Sequence, residues 1–94
     1  MNEHRNASNQ LTIDFDKIES NKYTKITKIV VKQFNLEAID ELTISLDEKF
    51  QKFKNGSAIV GLEWDIWSGY IVNAKNTEAE SLVREIGAFI NEQY

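Results

Sequence analysis

The stretch GLEWDIWSGY, residues 61–70, carries two carboxylates, Glu63 and Asp65, and both tryptophans of the chain, Trp64 and Trp67. On an extended strand, side chains two residues apart point the same way and lie roughly 7 Å apart by strand rise. That separation falls within the range of about 6.5 to 9.5 Å used by inverting glycoside hydrolases. Neighbouring tryptophans would add a surface for stacking a sugar. The same pair would offer calcium two carboxylates, where about six to eight oxygens are usual. Acids alternating with apolar residues are also the ordinary pattern of a half-exposed strand. A chain of 94 residues has little room for a deep cleft. We therefore assign the pair no catalytic or metal role.

Other chemistry is sparse. The single histidine, His4, stands in a polar N-terminal stretch, so neither a Ser–His site nor a histidine metal site is expected. There is no cysteine, which excludes disulfides, thiolate ligands and cysteine nucleophiles. No GxGxxG or P-loop pattern occurs. The sequence points to a protein that is not an enzyme and needs no cofactor.

Charge narrows the partners. The formal net charge is −4, which opposes nucleic-acid binding. Residues 17–32 run the other way, with Lys17, Lys22, Lys25, Lys28 and Lys32 against Glu19 alone. With Tyr23 and Phe34 for base stacking, that run keeps a nucleic-acid binder as an alternative, beside a small-molecule binder on the sheet face or a domain of structural role only. Lysines also blunt exposed strands against aggregation. Acids dominate elsewhere: Glu37, Asp40, Glu41, Asp47 and Glu48 between residues 37 and 48, and six acids against two bases from residue 63 onward. An acidic surface suits a basic protein partner. Tryptophan and tyrosine are common interface anchors. Trp67 and Tyr70, beside Glu63 and Asp65, are therefore the expected partner-binding residues. Tyr94 is a possible second anchor.

These side chains must be placed by a small fold. Such a length makes one domain at most and buries roughly 60 to 65 % of its unfolded surface. Residues 1–10 are polar and without period, and read as a loose N-terminal tail before a single domain over 11–94. LTIDF, residues 11–15, alternates as a half-buried strand. Residues 24–34 are dense in β-branched types and predict a strand, although Ile26, Val30 and Phe34 also fit one helix face. Leu36, Ile39, Leu42, Leu46, Phe50 and Phe53 recur at spacings of three and four, which predicts helix over most of 36–54, with Asn35 as N-cap. ELTIS inside it alternates like a strand, and Ser45–Glu48 has the form of a capping box. Asn55-Gly56 would end the helix.

Residues 57–74 predict a β-hairpin with Gly69 left-handed in a Trp67-Ser68-Gly69 turn. Ile66 then pairs with Tyr70, Trp64 with Val72 and Leu62 with Ala74. Val60, Leu62, Trp64, Ile66, Tyr70, Val72 and Ala74 share the core face. Glu63 and Asp65 share the other, and a one-residue slip would mix the two sets. Residues 77–93 predict an amphipathic helix opened by a Thr77–Glu80 capping box. Its apolar stripe is Ala79, Leu82, Val83, Ile86, Phe89 and Ile90, with Gly87 marking close packing. The expected fold is α+β: a mainly antiparallel sheet of about four strands covered on one face by two helices.

LEWDIWSGYIV followed by a short capped helix resembles small bacterial immunity proteins of polymorphic toxin systems. The resemblance covers the hairpin and last helix, about a third of the chain. It implies an acidic, cysteine-poor α+β protein that binds and blocks a toxin domain. No functional residue is carried over from it. The start MNEHRNASNQ has no apolar signal segment, and no apolar run approaches the roughly 20 residues of a membrane helix. The expectation is a cytoplasmic, non-membrane protein that occludes a basic partner site. Homodimerisation through the last helix or a free strand edge stays open.

Overall fold

The computed structural model describes residues 1–94. Seven strands form one antiparallel sheet: β1 (Asn2–Arg5), β2 (Leu11–Phe15), β3 (Glu37–Ala38), β4 (Thr43–Ile44), β5 (Glu48–Asn55), β6 (Ala58–Asp65) and β7 (Gly69–Ala74). Their order is β1-β2-β7-β6-β5-β3, with β4 also on β5. Helix α1 (Tyr23–Gln33) follows β2, and helix α2 (Glu80–Gln93) ends the chain. The fold is α+β, as the alternation of apolar residues predicts, but the sheet has seven strands rather than about four.

The central hairpin keeps the predicted faces with a different register. Trp64 pairs with Tyr70, Leu62 with Val72 and Val60 with Ala74. This is a shift of two residues, which preserves the side of every residue but Ile66. The cause lies in the turn. Asp65 Oδ1 accepts hydrogen bonds from the Trp67 and Ser68 amides, at 3.0 and 2.6 Å, and closes the turn one pair earlier. Ile66 thus leaves the core face and is exposed. Gly69 takes the left-handed conformation expected of it, at φ +73°.

Residues 23–33 form helix where β-branched content predicts strand. Tyr23, Ile26, Thr27 and Val30, at helical spacing, are the buried positions. Helix propensities differ by only about 0.7 kcal/mol among ordinary residues, so burial of that face outweighs them. Asn35, expected as an N-cap, instead stands just after α1 in the left-handed region, at φ +52°.

Residues 36–54 form strands where the three-and-four spacing predicts helix. Of that stripe only Leu36 and Phe53 are buried, while Ile39, Leu42, Leu46 and Phe50 are exposed. β5 instead follows the period of two, with Phe53 paired to Val60 in the core. Ser45 and Glu48 do form the expected local bond, since the Glu48 amide donates to Ser45 Oγ at 3.2 Å. The Ser45 amide also donates to the Glu48 carbonyl at 2.8 Å, so the unit is a tight turn between β4 and β5. Asn55-Gly56 likewise begins a turn between strands, with Asn55 paired to Ala58.

Residues 2–5 are part of the sheet, contrary to the loose tail their composition predicts. Asn2, Glu3, His4 and Arg5 pair with Asp14, Ile13, Thr12 and Leu11. All four are exposed, so no hydrophobic period could mark the strand. Backbone pairing and charge hold it: Arg5 forms a bidentate pair with Glu80, and Arg84 lies 3.6 Å from Glu3. The Glu80 pairing holds the Arg5 guanidinium above its ordinary pKa and the Glu80 carboxyl below its own. Glu80 therefore does not complete the predicted capping box, and the Thr77 hydroxyl donates to Glu78 instead.

Both helices cover one face of the sheet. Their Ile26, Val30, Val83, Ile86 and Ile90 join Leu11, Ile13, Val60, Leu62, Tyr70 and Val72 in one core. α2 lies so close to β2 that a Cβ on Gly87 would stand 2.6 Å from Ile13 Cδ1.

Candidate partner-binding site

Two hairpin turns lie side by side at one end of the sheet. The Ile66 amide donates to the Asp47 carbonyl at 3.0 Å and ties the β6–β7 turn to the β4–β5 turn. Leu46, Ile66 and Trp67 stand in these turns with 96 %, 51 % and 76 % of their surface exposed. A β-turn tip has no core beneath it, so bulky apolar side chains placed there remain in water. Acids surround them. Asp47 and Glu48 belong to one turn and Asp65 to the other, while Asp14 and Asp16 line a cleft of about 410 Å³ with Trp67.

The four residues expected to bind a partner do not form one patch. Trp67 is at the tip and exposed. Asp65 is beside it, with one carboxylate oxygen occupied by the turn amides. Glu63 is on the uncovered sheet face, 2.8 Å from the Lys75 ammonium. That pair crosses Gly61, whose missing side chain leaves the space for it. Tyr70 is fully buried on the helix-covered face, 5.6 Å from the Tyr23 ring, and its hydroxyl meets Thr27 Oγ1 at 2.7 Å. It is a core residue, as its side of the hairpin requires, and offers no surface to a partner. Burial raises its pKa strongly.

The tryptophans divide as the hairpin faces predict. Trp64 is half-buried against the core, and its indole N–H donates to the Ile18 carbonyl at 2.9 Å. Leu46 is not among the expected site residues because the helical spacing predicts it inside a helix. The available signal was Ser45–Glu48 read as a turn, which puts Leu46 at its centre.

The remaining candidates lie elsewhere. The lysine run falls on and before α1, but Tyr23 is buried and Phe34 packs edge-on against Phe89, with centroids 5.6 Å apart. Those aromatics are not displayed for bases. His4 Nε2 lies 2.9 Å from Asp14 Oδ2 across β1 and β2. Asn73 donates to Thr12 Oγ1 at 2.7 Å on the uncovered face, while its buried Oδ1 meets no donor. Tyr94 is half-exposed beside Ile18 and Lys22, in a cleft of about 370 Å³. No three His, Asp or Glu side chains come together as a metal-ligand set. No helix is long and apolar enough to cross a membrane. Comparison with protein-family models, with curated proteins and with solved structures found no match to this chain.

Proposed function

We propose that this chain is a small acidic protein-binding module, without catalytic activity of its own, that works by occlusion. Its paired hairpin ends would cover a basic site on a partner protein. A toxin-neutralising inhibitor of the immunity type is the most concrete form of this reading. The observation that carries it is the exposure of Leu46 and Trp67, 96 % and 76 %, in two turns joined by a hydrogen bond. Large apolar side chains in water contribute nothing to folding, whereas a tryptophan removed from water at an interface commonly supplies 2 kcal/mol or more. The acids around the tip add steering and selectivity toward a basic surface. Asp65 enters as part of that acidic surround and Trp67 as the anchor, while Glu63, paired with Lys75 on the sheet face, stands outside it.

Affinity capture tests the reading. Wild type, Trp67→Ala and Leu46→Ala would serve as paired baits in lysate from cells expressing the neighbouring genes. A basic protein retained by wild type and lost from both variants is the expected result. Equal retention by all three baits would remove the hairpin ends from the function.

A further inference from the structure

The sheet edge beside these turns is short and acidic, and it has no lysine, proline or covering strand. Edge strands are ordinarily blunted by shortness, by charge (lysine above all), by proline or by a covering element, because their free backbone groups invite another strand. β1, at the far edge, is polar throughout and held by Arg5–Glu80 and Arg84–Glu3. β4 is different. It pairs with β5 alone, so its outer side carries no strand. From Glu37 to Glu48 the sequence has no lysine, arginine or proline. Leu42 and Ile44 stand at alternate positions along this edge and Leu46 in the turn that ends it, exposed by 37 %, 64 % and 96 %. Ile44 lies opposite Lys49, whose ammonium sits 5.8 Å above the Tyr23 ring, so it belongs to the helix-covered side.

We infer that the edge from Leu42 to Ser45 takes an extended segment of the partner protein by strand addition, and that this segment alternates apolar and basic side chains. The inference rests on the protein-binding reading above and names its mode. In strand addition, main-chain hydrogen bonds supply affinity and alternate side chains supply selection. Here the apolar side chains of the incoming segment meet Leu42, Ile44 and Leu46. Its basic side chains, on the other side, meet Glu41 and Asp47, the acids that flank this edge at the odd positions shared with Thr43 and Ser45. The same acids select against a second copy, since pairing two such edges would bring both acidic sets together.

The probe is a short blocked peptide of alternating lysine and valine. A control peptide has every backbone nitrogen methylated, which keeps charge and side chains but removes the donors. Titration is followed by amide NMR and hydrogen exchange on wild type, Ile44→Lys and Trp67→Ala. Exchange of the outward-facing Leu42 and Ile44 amides should slow at least tenfold, and binding should weaken at least tenfold for the methylated peptide and for Ile44→Lys. The amide spectrum of Ile44→Lys checks its fold, and Leu46→Lys repeats the test at a side chain that packs on nothing. Equal binding of the methylated peptide overturns the inference, because charge alone would then explain it. So does no binding at all, or a wild-type dimer that Ile44→Lys dissociates. Shifts confined to the Trp67 turn would overturn strand addition and leave the hairpin-end reading standing. Edge protection unchanged by Trp67→Ala, with capture equally insensitive to it, would do the reverse.

Discussion

Replacing each tryptophan by alanine separates the two roles the hairpin gives them. Trp64 is half-buried and bonded to the Ile18 carbonyl, while Trp67 is 76 % exposed. A buried aromatic removes about 150 to 250 Å² from water, so a half-buried one removes roughly 100 Å². At about 25 cal/mol per Å², that is about 2.5 kcal/mol. Losing the indole hydrogen bond adds about 1 kcal/mol. Trp64→Ala should therefore destabilise by about 3 to 4 kcal/mol, against a total stability of about 5 to 15 kcal/mol for a domain. The same area argument leaves Trp67→Ala below about 1 kcal/mol. Urea unfolding followed by circular dichroism at 222 nm, independent of the fluorophores being removed, gives both values. Two variants within about 0.5 kcal/mol of each other, a spread typical of neutral surface changes, would refute the assignment of faces.

Two glycines offer a matched test of the turns. Gly56 and Gly69 both have positive φ, +59° and +73°, so alanine at either should cost about 1 to 2 kcal/mol from the backbone alone. A Cβ at Gly56 meets nothing within 4 Å, whereas at Gly69 it would stand 2.8 Å from Asp16 Cα and clash with the Phe15 carbonyl. Gly69→Ala should be the worse by about 2 kcal/mol, the scale of a core clash, and equal losses in chemical denaturation would contradict the β2–β7 packing. Alkaline pH offers another check. Burial raises the Tyr23 pKa from the ordinary 10.0 to about 12, and its hydroxyl donates to the Leu62 carbonyl at 2.6 Å. A raised folded pKa means that the folded state holds the proton where the unfolded state has lost it. The stabilisation is complete below pH 10 and is lost as pH rises toward 12, on the order of 2 to 3 kcal/mol. Stability of wild type should fall through that window and that of Tyr23→Phe should fall less; parallel curves would exclude Tyr23 as the cause.

The parts of this protein legible from its residues alone are those where apolar positions alternate and local chemistry agrees with the alternation. Strand 11–15, the division of the β6–β7 hairpin into two faces, and the left-handed Gly69 all follow from period-two alternation and turn chemistry. So does the contrast between Trp64 in a strand and Trp67 at a tip. Tertiary structure decided the rest. Residues 23–33 hold enough β-branched types for a strand, but the surface they pack on asks for a helix face through Tyr23, Ile26, Thr27 and Val30. Residues 36–54 show the converse: β5 is drawn into extension by its pairing with β6, and the three-and-four spacing of their apolar residues buries almost nothing. β1 has no pattern to read, because both its faces are wet and its partners, Glu80 and Arg84, lie far away in the chain. The exposed apolar tip is legible in the sequence only at Trp67. Leu46 joins it through a backbone bond between two turns, and that adjacency is a property of the folded sheet. Backbone pairing is indifferent to side-chain type, so periodicity reports which residues are buried and leaves unsaid which turns become neighbours.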